Sequence, residues 1–130
     1  MNEGKNAMGK TILIVDDSAT MVMSVKSTLE MNGFSVITAS DGVQALGKLK
    51  SGIKPDLIIT DVNMPNMDGL ELIRSVKTLP GFRFTPILTL TTESQAAKRD
   101  QAKQLGATGW LVKPVAAEKL LQVVEQVAPA

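Results

Sequence analysis

The sequence predicts an α/β fold, with a five-stranded parallel sheet covered by helices on both faces in three layers. Three observations carry this. Short apolar runs recur five times, at 11–15, 34–39, 57–59, 86–90 and 110–112. After each run comes a segment whose apolar residues fall at helical spacing. The order is strand then helix throughout, with no repeat or linker, and such alternation implies crossover connections and parallel strands.

The elements follow in order. Thr11 to Val15 is a buried strand ending in Asp16-Asp17-Ser18, with Ser18 placed to cap a helix over about 19–31. Val22, Val25 and Leu29 give that helix its apolar stripe, and Asn32-Gly33 stops it. The second strand runs from Phe34 to Ala39. Ser40-Asp41-Gly42 then opens a helix with Val43, Leu46 and Leu49 expected inward, ending near Ser51-Gly52. Leu57 to Ile59 reads as a strand buried on both faces, with Asp61 where it stops and Asp56, expected to be solvated, before it. After Gly69 a helix carries Leu70, Leu72, Ile73 and Val76, and Pro80-Gly81 ends it. The fourth strand spans 86–90, with Thr89 packed inside it and Thr91-Thr92 at its carboxyl end. The next helix, over about 93–105, has a thin stripe of Ala96, Ala97, Ala102 and Leu105 and should be the least firmly held. Trp110 to Val112 is the fifth strand, ending at Lys113-Pro114. A helix over about 117–128 follows, with Leu120, Leu121, Val124 and Val127.

Composition narrows the function. A length of 130 residues suits one domain with its own core. Residues 1–10 read as a flexible polar tail and 11–130 as the folded domain. The net charge of +1 leaves no electrostatic footprint for nucleic acid or an anionic membrane. With no Cys and no His, thiolate chemistry, the usual zinc sites and a His-based triad are excluded, and the chain cannot be its own phosphohistidine donor. No apolar run approaches a membrane span, and a cytoplasmic location is expected.

In a parallel sheet the carboxyl ends of all strands share one edge, where ligands bind. That edge gathers Asp16 and Asp17 from strand one, Asp61 from strand three, Thr91 from strand four and Lys113 from strand five. Three carboxylates close together repel, and one Lys offsets only part of the charge. Oxygen-only ligands favour a hard divalent cation such as Mg²⁺. A carboxylate with Mg²⁺, an ammonium and a hydroxyl suits phosphoryl transfer, with an aspartyl phosphate forming on Asp61.

The Asp16-Asp17 pair, the run from Asp61 to Gly69 (Asp-Val-Asn-Met-Pro-Asn-Met-Asp-Gly), Thr91 and Lys113-Pro114 resemble the motifs of the response-regulator receiver domain of two-component signalling. The stand-alone CheY-like chemotaxis type, a flavodoxin-like (βα)5 fold, is the most similar. The resemblance covers Thr11 to Val127. It implies that Asp61 accepts a phosphoryl group from a CheA-like sensor histidine kinase. It also implies that Asp17, Asp61 and the carbonyl of Asn63 bind Mg²⁺ directly, with Asp16 acting through bound water. Lys113 would contact the phosphoryl oxygens, and its bond to Pro114 would be cis. Thr91 would move to the phosphoryl group while Trp110, at the position of the switch aromatic, turns inward. Asn63 and Glu93 match positions that tune acyl phosphate hydrolysis. Thr92, where a small residue is usual, is a departure that bears on lifetime, and Val115, where Phe is common, is a milder one.

The implied output is a surface of the fourth helix, fifth strand and fifth helix that binds a partner such as a flagellar motor switch protein. A phosphatase is a further partner, and a monomer is expected. Met21, Met23 and Met31 in the first helix read as ordinary core or partly exposed filler, and the resemblance makes exposed Met there a hint of protein docking. Lys98, Arg99 and Lys103 read as a solvated face. Asp41 and Asp68, each before a Gly, read as helix caps. A phosphate sink or phosphorelay intermediate would use the same residues. An aspartate-nucleophile phosphatase would place its nucleophile on strand one with a second acid two residues later, which adjacent Asp16-Asp17 does not match. A nucleotide or flavin module would need a Gly-rich loop after strand one, where Asp16-Asp17-Ser18 stands. A receiver-like scaffold would not need the full set of site residues.

Overall fold

The computed structural model describes residues 9–128. The expected tail lies outside the described residues except for Gly9 and Lys10. Five strands, β1 (Thr11–Val15), β2 (Ser35–Ala39), β3 (Leu57–Thr60), β4 (Ile87–Thr91) and β5 (Gly109–Val112), alternate with five helices. These are α1 (Ala19–Met31), α2 (Gly42–Lys50), α3 (Gly69–Thr78), α4 (Ala96–Leu105) and α5 (Ala117–Val127). All strand pairs are parallel, in the order β2-β1-β3-β4-β5.

Alternation along the strands builds two cores. Ile12, Ile14, Leu57, Ile59, Leu88 and Leu90 face α1 and α5 and meet Val25, Leu29, Leu120 and Val124. Leu13, Val15, Ile58 and Ile87 face the other way and meet Leu49, Leu72, Ile73 and Val76 of α2 and α3, with Ala102 of α4. Both faces of the central strands are thus covered, as continuous apolar runs require. No helix among the described residues is long and apolar enough to cross a membrane.

Several details differ from the sequence expectation. Val43 is exposed, and α2 buries Gly42, Ala45 and Leu49 instead, with Leu46 partly buried. The helix is rotated because Gly42 seats against Met67, where any side chain would collide. The fourth helix begins at Ala96 rather than near 93, and Ala96 and Ala97 are exposed, leaving Ala102 as its one buried residue. Two side-chain bonds hold the preceding turn out of the helix. Glu93 N–H donates to Thr91 Oγ1 at 3.1 Å, and Gln95 N–H to Glu93 Oε2 at 3.1 Å. Asp56 is half-buried rather than solvated, and its carboxylate accepts the Thr11 N–H at 2.7 Å, fixing the start of β1.

Candidate functional site

The order in which strands are added reverses between β1 and β3, because β1 connects outward to β2 on one side while β3 leads to β4 on the other. The ends of these neighbouring strands diverge into loops that leave a crevice. Asp16 follows β1 and Asp61 follows β3. Their backbones are clamped by ladder extensions, Asp61 N–H to Val15 O at 2.9 Å and Asp16 N–H to Ala39 O at 3.1 Å. Both side chains are buried, Asp16 at 5% and Asp61 at 8% exposure, whereas Asp17 is exposed.

Lys113, just after β5, reaches across the sheet edge. Its Nζ donates to Asp16 Oδ2 at 2.8 Å and to Asp61 Oδ2 at 3.4 Å. Burial pulls the Lys113 pKa down, but the hydrogen bonds and charges of Asp16 and Asp61 outweigh it and hold the ammonium above its ordinary value. The other oxygens are aimed by backbone donors. Ser18 N–H donates to Asp16 Oδ1 at 2.9 Å, and Val62 N–H to Asp61 Oδ1 at 2.6 Å. The Lys113-Pro114 peptide is cis, as expected.

Asp16, Asp17 and Asp61 each bring one carboxylate oxygen within 4.8 Å of the others. Oxygens on opposite sides of a Mg²⁺ ion lie about 4.2 Å apart, so only small adjustments separate this set from a ligand cluster. The donors are all oxygen and the cluster carries more negative charge than Lys113 offsets. The residues therefore fit a hard divalent cation.

Thr91 is fully buried at the end of β4, its hydroxyl oxygen engaged by Glu93 N–H. Glu93 also accepts from Asn63 Nδ2 at 3.3 Å and pairs with Lys98 at 3.4 Å, so it bridges the loops after β3 and β4. The Gln95 N–H, then the Asn63 amide, then Lys98 hold the Glu93 carboxyl below its ordinary value. Thr92 is exposed. Trp110 is half-buried beside a cavity of about 300 Å³ that Arg99, Ala102 and Lys103 of α4 also line. Of the caps, Asp68 forms a capping box with Glu71, and Asp41 accepts the Gln44 N–H. In α1, Met23 is exposed and Met21 half-buried.

Two residues matter more than their sequence signal suggested. Gly69 presses on the backbone of Asp61 and Val62, where a Cβ would lie against the Asp61 carbonyl oxygen and 2.8 Å from Val62 Cα. Asn66 adopts a left-handed φ of 67° and donates its side-chain amide to Asp41 at 2.7 Å. An Asn directly after Pro65 is the sequence signal for such a turn.

The sequence matches the response regulator receiver domain over residues 12–125. It is 42% identical over 120 residues to the chemotaxis protein CheY of Pseudomonas aeruginosa, covering 89% of this chain and 94% of that one. It is 38% identical over 117 residues to the chemotaxis protein CheY1 of Helicobacter pylori, with the same coverage. The structure superposes on Vibrio cholerae CheY4 with a TM-score of 0.87 and 45% identity, covering 93% of this chain and 99% of that chain.

Proposed function

The chain belongs to the response regulator receiver domains of two-component signalling and is CheY-like, and on that premise we propose that it is a phosphorylation-driven switch whose acceptor is Asp61. The observation that carries the reading is Lys113 Nζ bridging two buried carboxylates, Asp16 and Asp61, beside exposed Asp17. In the proposed reaction an Asp61 carboxylate oxygen attacks the phosphorus of a phosphohistidine on a CheA-like sensor histidine kinase. The P–N bond breaks, a P–O bond forms, and the imidazole nitrogen keeps the electron pair. The donor must be another molecule, because this chain has no His.

Asp17, Asp61 and the Asn63 carbonyl would hold Mg²⁺, with Asp16 acting through bound water. When bound, the ion neutralises charge on the transferring group. Lys113 turns its ammonium from the carboxylates to the incoming phosphoryl oxygens. Thr91 gives up its bond with Glu93 N–H to donate its hydroxyl to the same oxygens. The loop after β4 moves with it, and Trp110 turns into the space released. The surface of α4, β5 and α5 then binds a protein partner, a flagellar motor switch protein in a chemotaxis role. A phosphatase completes the cycle. The protein is a phosphoacceptor that catalyses its own phosphorylation and dephosphorylation and no other reaction.

Intact mass after incubation with acetyl phosphate, with and without Mg²⁺, tests this for wild type and Asp61→Asn. Wild type should gain one phosphoryl group only with Mg²⁺, and the variant none. No label on wild type from either the small donor or a CheA-like kinase refutes the reading. Asn63, Glu93 and Thr92 suggest a short to moderate phosphoryl lifetime, and a label that persists for many hours overturns that part.

A further inference from the structure

The junction between β2 and α2 contributes nothing to the acidic cluster, yet both cluster-bearing loops are tied to it. The loop after β1 is held through Asp16 N–H to Ala39 O at 3.1 Å. The loop after β3 is held through Asn66 Nδ2 to Asp41 Oδ2 at 2.7 Å. Asp41 is 7% exposed, and its second oxygen accepts the Gln44 N–H at 2.9 Å as the cap of α2. One carboxylate therefore serves a helix end and a loop apex together.

The apex itself is shaped for this contact. Met67 N–H donates to Pro65 O at 2.7 Å, which folds the chain tightly around Asn66 and its left-handed backbone. The Met67 side chain then lies where a Cβ on Gly42 would be, its Cγ 2.7 Å away. Asn66 and Met67 are thus seated on the first turn of α2. Asn63 lies three positions before Asn66, in a loop whose other end is fixed by Gly69 N–H to Val62 O at 2.8 Å.

We propose that Asp41 and Asn66 form a positioning pair. By pinning the loop after β3 to the strand end that also holds Asp16, they fix the spacing between Asp16 and the Asp61–Asn63 segment, and so set the affinity of the site for Mg²⁺. Neither residue touches the reacting atoms. The inference rests on the proposed function, since it assumes that the acidic cluster binds a divalent cation.

The test uses three variants. Asp41→Ser keeps a side chain able to cap α2 but is too short to reach Asn66 as well. Asn66→Gly keeps the left-handed backbone without the amide. The third is the double variant. Mg²⁺ binding is followed by the backbone amide NMR signals of the site, and thermal unfolding is measured in metal-free buffer. Each single variant should weaken Mg²⁺ binding by roughly tenfold, in line with losses at outer-shell partners. The double variant should bind no more weakly than the weaker single one, because both remove the same contact. Unchanged Mg²⁺ affinity in all three, with lowered melting temperatures, overturns the proposal and leaves the pair a purely structural contact. If wild type itself binds no Mg²⁺, the proposed function fails first and the pair's role falls with it.

Discussion

Replacing Asp61 by Asn should make the metal-free protein more stable, although it removes a charge that is paired with Lys113. Each like-charge pair in the cluster, taken at its 4.8 Å limit, costs about 3.5 kcal/mol at an effective dielectric near 20. The Lys113–Asp61 pair at 3.4 Å returns about 5 kcal/mol on the same footing. Two repulsions therefore outweigh one attraction by about 2 kcal/mol, and screening of exposed Asp17 brings the net to about 1 kcal/mol. Asn keeps an oxygen for the Val62 N–H, so the backbone contact survives. For a chain of this size about 1 kcal/mol raises the melting temperature by roughly 3–5 °C. The assay is thermal unfolding of both proteins in EDTA and again in MgCl2. Wild type should gain from Mg²⁺ while the variant gains little, so the gap narrows or reverses. A variant that melts at or below wild type in EDTA refutes the electrostatic reasoning.

Three further outcomes follow from the same geometry. Gly69→Ala pushes a methyl group into the backbone at Asp61 and should cost about 1–3 kcal/mol in denaturant unfolding while slowing phosphoryl uptake. Uptake at the wild-type rate contradicts the close approach. The Lys113 ammonium is held above its ordinary value of 10.5, so its stabilising contribution is complete below that pH and is lost as pH rises through the higher folded value. The stability difference between wild type and Lys113→Met should accordingly stay level from neutral pH up to about pH 10.5 and shrink above it, and a gap that already shrinks between neutral pH and about pH 9 would contradict the pairing. Trp110 is the one tryptophan, so its emission would report the proposed switch. Acetyl phosphate with Mg²⁺ should change it in wild type and not in Asp61→Asn.

The layout of the sheet was legible because strand burial and strand-helix alternation are written in runs of neighbouring residues. The convergence of Asp16, Asp61 and Lys113 followed from parallel topology alone, without knowing any distance. Most of what escaped the sequence depended on contacts between distant segments. Val43 and Gly42 both begin helical stripes, and only Met67, arriving from another loop, decides which one faces inward. The start of α4 was misplaced for a local reason: the Thr91 and Glu93 side chains accept the N–H groups of Glu93 and Gln95 and so set a turn before the helix. Asp56 was expected to be solvated, and nothing in the local sequence gave Asn66 a side-chain partner. Their partners, Thr11 and Asp41, lie far away in sequence.

The uneven distribution of burial makes α4 the helix least firmly held, and so the one best placed to respond under the proposed function. It has one buried residue, Ala102, and no side-chain cap at Gln95. Burying an Ala methyl contributes about 0.8 kcal/mol, whereas Leu120 and Val124 anchor α5 with about 1.5–3 kcal/mol each. Among the described side-chain contacts, Glu93 joins the α4 approach to the site loop through one exposed hydrogen bond to Asn63 and one partly exposed ion pair to Lys98. Such contacts contribute little individually. A rearrangement worth a few kcal/mol at Asp61 can therefore repopulate α4 and the loop before it, while the central strands and α5 hold their places. Rigidity at the acidic cluster and slack in the next helix are complementary. On the proposed function, the first would fix where charge is added, and the second would confine the response to the face beside Trp110.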